Sequence, residues 1–168
     1  MHIQTRRKFG IWAILAGTLL GATTLISNVN AADEKSLYDR LGGYTAISAV
    51  VENFADSLFV DSQINQFFVG MSDDTRKSFK QKNKNLLCNA TGGPCQVISR
   101  PADQAHQGLG ITGGDFKVVA GHLTETLNNF KVPAREQGEV FAIILSLQPK
   151  IIDRPDEMRL SKDAPARR

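Results

Sequence analysis

Histidine and cysteine are both scarce in this chain, whose 168 residues include three histidines and two cysteines. Cys88 and Cys95 are separated by six residues, a spacing that matches no usual structural zinc site even with the distant histidines added. The proportions of hydrophobic residues, 42%, and charged residues, 22%, exclude a collagen, a coiled-coil rod, a disordered charged tail and a multi-pass membrane protein. One ordinary domain remains.

The beginning of the chain has the pattern of an export signal. Three basic residues at 6–8 precede an uncharged stretch at 9–31, which ends in the small-residue site Val-Asn-Ala at 29–31. Residues 5–9 also resemble the twin-arginine motif that an export machinery reads. We expect a signal peptide over residues 1–31 and a periplasmic protein. An uncleaved membrane anchor is the alternative, because the uncharged stretch is about long enough to span a bilayer.

Removal of the leader changes the charge balance. The leader carries three of the 20 basic residues and none of the 17 acidic residues, so the mature chain has 17 of each. Global charge therefore gives no support to a nucleic-acid partner. The leader also contains His2 and the only tryptophan, so histidine chemistry in the mature chain must use His106 or His122.

The mature chain is patterned for helices, with no period-two stretch long enough for a half-buried strand. Four apolar stripes with helical spacing lie at Ile47, Val50, Val51, Phe54 and Leu58; at Phe79, Asn83, Leu86, Leu87 and Ala90; at Phe116, Val119, Ala120, Leu123, Leu127 and Phe130; and at Val140, Ile143, Ile144, Leu147 and Ile151. We expect an all-α domain over residues 32–153, with four substantial helices, two or three short ones and a flexible tail at 154–168.

Capping signals indicate where several helices begin and end. Ser72 precedes two acidic residues and is expected to cap the second long helix. Thr112 and Asp115 form a capping-box pattern before the third. Pro133 suits the first turn of the last helix, and Pro149 should kink or end it.

His106 is the histidine with the clearest chemical context. It ends a short helical stretch directly before Gln107-Gly108-Leu109-Gly110, where glycines allow the backbone to turn sharply and the ring to lean into a cavity. A neutral imidazole is the usual axial ligand of haem iron. A lone histidine, however, is ordinarily a surface or hydrogen-bonded residue, and the residue alone leaves that alternative open.

Four motifs decide between these alternatives. LYDRLGG at 37–43, the Phe67-Phe68 pair, ATGGP at 90–94 and AHQGLGIT at 105–112 occur in the order and spacing of the group I truncated haemoglobins, which the chain resembles from Ser36 to Ile152. The resemblance implies a truncated globin, a two-over-two helical sandwich around haem b (iron protoporphyrin IX). It places His106 as the proximal iron ligand and Phe68 against the haem face. The cysteine pair that covalent haem attachment requires is absent.

The distal side departs from the family pattern. Family members place a tyrosine on the first long helix and a glutamine or similar residue on the next, and the matching positions here are Ala55 and Asn83. The missing hydrogen bond should speed oxygen release about ten- to hundredfold. Asn83 is expected to recover part of the loss, unless its helix is rotated and the amide is solvated. Phe79 and Leu86 are candidate pocket residues, although Phe79 could equally be core.

A basic run at Lys80, Lys82 and Lys84 lies on the same helix. Such runs usually form a solvated face, but lysines at the mouth of a haem pocket can pair with the anionic propionates. Lys82 also stands next to Asn83, where some family members place a distal iron ligand. A desolvated, deprotonated lysine could take that role.

The remaining histidine and the cysteines have structural interpretations. His122 lies one step off its helix's apolar stripe, so we expect a structural residue. In an oxidising compartment Cys88 and Cys95 are expected to form a disulfide that contributes about 2 to 3 kcal/mol, with free thiols as the alternative.

The sequence therefore predicts an exported haem protein, a monomer or weak dimer, that binds O2, NO or CO through iron held by His106. Weak distal hydrogen bonding argues against oxygen storage and favours redox, sensing or nitric-oxide chemistry with an unidentified reductase. Nitric oxide dioxygenase and peroxidase-like activities stay open. The alternatives are a six-coordinate electron-transfer haem protein and a haem-free helical binding module.

Overall fold

The computed structural model describes residues 35–153 of the chain. The signal-peptide prediction for residues 1–31 and the flexible-tail prediction for 154–168 both lie outside this range. Within it the chain is helical and contains no β-strand, as the hydrophobic period predicts. No helix of this range is both long and apolar enough to cross a membrane.

Six α-helices and one short 3-10 helix make up the described structure. Listed in chain order, they are α1 (Leu37–Arg40), α2 (Gly43–Val60), the 3-10 helix (Asn65–Phe68), α3 (Asp73–Ala90), α4 (Ala102–His106), α5 (Gly113–Asn129) and α6 (Ala134–Ile151). Four of them are substantial and three are short, which confirms the expected helix count.

Helix ends follow the capping signals in two places. The Ser72 hydroxyl accepts a hydrogen bond from the Thr75 backbone N–H at the start of α3. At the start of α5 the Thr112 hydroxyl accepts from the Asp115 N–H, and the Asp115 carboxylate accepts from the Thr112 N–H. Pro133 was expected inside the first turn of α6, but it is the N-cap residue and the helix begins after it.

The long helices form two layers. Helix α2 packs against α3, α5 packs against α6, and contacts between α2 and α5 join the two pairs. The short helix α4 lies against α6. Burial of the apolar stripes drives this packing. The central core cluster consists of Leu37, Val50, Leu123, Leu127 and Val140.

In two of the predicted apolar stripes the last residue is exposed rather than buried. Phe130 was assigned to the buried face of α5, but the helix stops at Asn129 and the ring is 41% exposed. Ala90, the last position of the α3 stripe, is also exposed. Pro149 lies within α6, which ends two residues later at Ile151. Pro149 lacks the N–H that would donate to the Leu145 carbonyl oxygen, and the helix nevertheless continues for two more residues.

Candidate haem site

His106 is the last residue of α4 and is half-buried. Its ring Nδ1–H donates a hydrogen bond to the Ala102 carbonyl oxygen, one turn earlier, at 2.7 Å. The bond fixes the tautomer, because the proton on Nδ1 leaves Nε2 with its lone pair free. Backbone carbonyls orient metal-binding histidines in this way. Within residues 35–153, Nε2 has no hydrogen-bond partner.

The loop after His106 is held by a residue that the sequence interpretation missed. The backbone N–H groups of Gly108 and Gly110 both donate to Oδ2 of Asp153, at 3.0 and 3.2 Å. Both glycines have positive φ, 79° and 69°, so the chain turns sharply here. Asp153 follows the end of α6 and is 43 to 45 residues away in sequence. No local pattern marks such a partner.

A solvent-open depression borders His106 on the side of α6. It has a volume of about 300 Å³ and lies between α4 and residues 149–153. Phe68, Phe79 and Asn83 do not line it. Helix α3, which carries Phe79 and Asn83, packs against α2 instead. The candidate proximal and distal residues therefore belong to different layers of the fold.

Three phenylalanine rings, from α2, the 3-10 helix and α3, form a cluster. Phe68 lies 5.1 Å from Phe59 and 5.4 Å from Phe79, measured between ring centroids, and both pairs are edge-on. Phe59 and Phe79 are 5.6 Å apart. The Arg76 guanidinium lies 4.9 Å from the centroid of Phe59. Aromatic packing thus brings together Phe68 and Phe79, two of the sequence-selected residues, and adds Phe59.

The two positions that were matched to the distal tyrosine and glutamine of the family offer little hydrogen bonding in the structure. Ala55 is fully buried in α2 and offers no side-chain donor. Asn83 is half-buried, and its Nδ2 donates to the Phe79 carbonyl oxygen at 2.8 Å, within the same helix. The amide therefore has a partner in its own backbone, which explains its place on an apolar stripe. One N–H and the side-chain carbonyl oxygen stay available.

Leu86 and Lys82 complete the set of sequence-selected positions on α3. Leu86 is half-buried and Lys82 is exposed. A lysine must be buried to lose its proton and bind iron. Lys82 is not buried in this structure.

The interpretation of Lys80 and Lys84 as haem-propionate partners needs correction. Lys80 Nζ lies 2.7 Å from carboxylate oxygens of both Glu52 and Asp56, and Lys84 Nζ lies 2.5 Å from Glu52. Hydrogen bonds from Lys80 and then Lys84 hold the pKa of Glu52 below its ordinary value. Both lysines form ion pairs that connect α3 to α2, and their side chains lie along the interface between the two helices.

His122 is held between helices, as its boundary position suggests. Its Nε2–H donates to Asp61 Oδ2 at 2.8 Å, linking α5 to the end of α2. This hydrogen bond holds the pKa of the Asp61 carboxyl below its ordinary value. A polar depression of about 410 Å³ borders the pair, and no sequence-selected haem residue lines it.

Cys88 and Cys95 form the expected disulfide. Cys88 is fully buried at the end of α3, and Cys95 lies in the segment that leads to α4. The Asn89 side chain donates to the Cys95 carbonyl oxygen at 2.9 Å and braces the same turn. No group of three or more His, Cys, Asp or Glu residues in the described part of the chain could hold a metal ion.

The donor set fits haem better than a metal ion held by protein ligands alone. An oriented imidazole supplies one axial ligand, as haem iron requires. The cluster of Phe59, Phe68 and Phe79 and the side chain of Leu86 offer apolar surface of the kind that a porphyrin face contacts. Val97 and Ile98, in the segment between α3 and α4, are 40% and 79% exposed, so apolar surface is available between the two helices' ends.

Comparisons with known proteins agree with this architecture. The family model for bacterial-like globins matches residues 36–152. The group 1 truncated hemoglobin GlbN of Mycolicibacterium paratuberculosis is 36% identical over 127 residues, which cover 76% of this chain and 91% of the relative. The group 1 truncated hemoglobin GlbN of Synechocystis is 31% identical over 112 residues, which cover 64% of this chain and 88% of the relative.

Solved structures show the same fold. The 2/2 hemoglobin from Synechococcus, in the cyanomet state with covalently attached heme, has a TM-score of 0.64 at 31% identity and covers 71% of this chain and 100% of that one. The truncated hemoglobin from Tetrahymena pyriformis has a TM-score of 0.66 at 21% identity and the same coverage. The chain therefore belongs to the bacterial-like globin family as a group 1 truncated haemoglobin, a haem-binding globin for small gaseous ligands.

Proposed function

We propose that the chain binds haem b through Nε2 of His106. The observation that carries this proposal is the 2.7 Å hydrogen bond from Nδ1 to the Ala102 carbonyl oxygen. It selects the tautomer in which Nε2 can donate its lone pair to iron, and it restricts rotation of the ring. Phe68 and Phe79 would lie against the porphyrin, and Leu86 would extend the apolar wall.

The distal residues favour rapid exchange of a diatomic ligand over storage. The chemistry that haem supplies when bound is reversible binding of O2, NO or CO and redox reaction of O2 and NO. Ala55 cannot donate a hydrogen bond, and the Asn83 amide already donates to its own helix. Absence of a strong donor shortens the lifetime of a polar ligand. We therefore propose a role in redox or nitric-oxide chemistry, with an electron donor supplied by a separate reductase.

We also propose that the protein works outside the cytoplasm, in the periplasm. The leader pattern at residues 1–31 supports export, and the Cys88–Cys95 disulfide suits an oxidising compartment. Fractionation of cells expressing the full chain tests this proposal. The mature protein should appear in the periplasmic fraction, and replacing Arg6 and Arg7 by lysine should retain it inside if the twin-arginine route is used. A wild-type chain found wholly in the cytoplasm would contradict export.

Optical spectra of the purified full chain test the haem assignment. The wild type should give a Soret band with high-spin ferric features, and His106→Ala should lose that spectrum or bind haem much more weakly. His122→Ala is the matched control, because it removes the other histidine of the mature chain and should leave the spectrum unchanged. Far-UV circular dichroism of each variant checks that the helices remain.

The same spectra separate the competing functions. Low-spin bands without added ligand would indicate six-coordinate iron and favour electron transfer. If these bands disappear in Lys82→Ala, the lysine is the sixth ligand and the open-site proposal fails. No Soret band after haem is added would favour a haem-free binding module.

A further inference from the structure

We propose that Asp153 is a positioning residue for His106. It holds the backbone directly after the histidine and so sets where the imidazole lies. This inference rests on the proposed role of His106 as the iron ligand. It extends that role to a residue outside α4, at the C-terminal end of the described fold.

The geometry is a backbone clamp made by one carboxylate oxygen. Oδ2 of Asp153 accepts hydrogen bonds from the N–H groups of Gly108 and Gly110, and the Asp153 N–H donates to the Ile111 carbonyl oxygen at 2.9 Å. Three bonds thus join residue 153 to the four residues at 108–111. Backbone N–H groups that converge in a turn form a favourable site for an anion, and the carboxylate occupies it between Gly108 and Gly110.

Helix α4 needs support from outside because it is short. It has five residues, Ala102–His106, and so few residues do not hold a helix in place by their own hydrogen bonds. Its N-cap, Pro101, makes no side-chain capping bond. Position must therefore come from contact with α6 and from the loop that follows. Asp153 connects these two, because it lies just beyond the C-cap of α6 and holds that loop.

Two constraints then act on His106 from opposite directions. The Ala102 carbonyl fixes the rotation of the ring through Nδ1, and Asp153 fixes the path of the main chain that leaves the residue. The Leu109 N–H donates to the His106 carbonyl oxygen at 3.2 Å, which ties the turn back to the histidine. Release of the carboxylate would leave Nδ1 bonded but would let α4 and its ring shift as a unit.

The substitution Asp153→Ala tests the proposal, with Asp153→Asn as the conservative variant. The Asn side-chain oxygen can still accept both N–H groups, so this variant should stay close to wild type. Asp103→Ala is the matched control. Asp103 is exposed and borders the same depression, and within residues 35–153 its carboxylate accepts no hydrogen bond.

Three measurements on the haem-loaded full chain give the outcome. For Asp153→Ala we expect haem loss to an excess haem-scavenging protein to be about tenfold faster, as is typical when a residue supporting a metal ligand is removed. We expect a shifted or broadened iron–histidine stretching band in the resonance Raman spectrum of the ferrous protein. Amide hydrogen exchange at Gly108 and Gly110 in the CO-bound form should accelerate, while Asp103→Ala leaves all three unchanged.

The outcomes separate failure of this inference from failure of the proposed function. If the wild type binds haem through His106 but Asp153→Ala matches Asp103→Ala in haem loss and in the iron–histidine band, only the positioning role is wrong. If the wild type shows no haem spectrum, both proposals fail. If Asp153→Ala does not fold, hydrogen exchange of the wild type tests the inference by itself. Unprotected Gly108 and Gly110 amides in the wild type would contradict the clamp.

Discussion

Removal of the Cys88–Cys95 disulfide should destabilise the fold at the end of α3. The bond closes a loop of eight residues, 88–95, between α3 and the segment that leads to α4. In the chain-entropy model, opening a loop of that size in the unfolded state lowers the free energy of unfolding by about 2.5 kcal/mol. For a domain of this size such a loss lowers the melting temperature by about 10 °C.

Two perturbations separate the cross-link from the packing of its sulfur atoms. Reduction of the wild type breaks the bond and keeps both sulfurs, so its loss should equal the loop term. The double variant Cys88→Ala, Cys95→Ala also empties a fully buried position at Cys88, so its loss should be larger. The bond from Asn89 to the Cys95 carbonyl oxygen stays in both cases and keeps the turn from opening completely.

Urea unfolding followed by circular dichroism measures both effects, with the haem content equal in all samples because a bound ligand adds to apparent stability. The double variant is the control for the reductant and should unfold identically with and without it. Two free thiols in the denatured, unreduced wild type would refute the reasoning. So would a reduction effect below about 1 kcal/mol, since the loop term alone exceeds that value.

Three further outcomes follow from contacts near the site. Gly93→Ala should cost about 1 to 3 kcal/mol, because the added Cβ would overlap the ring of Tyr38 and approach Sγ of Cys88; an unchanged urea midpoint would contradict this packing. Asn83→Leu should change the rate of oxygen release less than about threefold, as measured by stopped-flow mixing, because the Nδ2 bond to the Phe79 carbonyl oxygen holds the amide against its own helix; a tenfold increase would show that the second N–H of Asn83 holds the ligand. Stability should fall as the pH drops through and below 4.5, the ordinary pKa of Glu52, because Lys80 lowers that pKa in the folded state. Glu52→Gln should flatten that part of the pH profile of the urea midpoint, and an unchanged profile would contradict the role of the ion pairs.

Helix content and helix ends could be predicted because their causes are local. Apolar side chains three and four positions apart must share a face, so the stripe through Ile47, Val50 and Leu58 identifies α2 without any knowledge of its neighbours. A capping box acts over three residues, and that of Thr112 and Asp115 forms as the sequence indicates. The prediction that Phe130 lies on the buried face of α5 was wrong, because the apolar spacing continues through Phe130 and does not show that the helix ends at Asn129.

The parts of the site that the sequence does not reveal depend on how helices are rotated and spaced. Lys80 and Lys84 could face solvent or a cofactor in an isolated helix, and only the packing of α3 on α2 places Glu52 between them. The role of Asp153 could not be predicted for the same reason. Its carboxylate contacts Gly108 only because α6 packs against α4, and the two residues are 45 positions apart in the sequence.

The most direct test of the central claim is chemical rescue at the 106th residue. His106→Gly removes the proposed ligand and leaves room for free imidazole, so the purified variant should lack the wild-type haem spectrum and regain it when imidazole is added. A variant that binds haem with the wild-type spectrum and affinity before imidazole is added would contradict the claim that this histidine holds the iron.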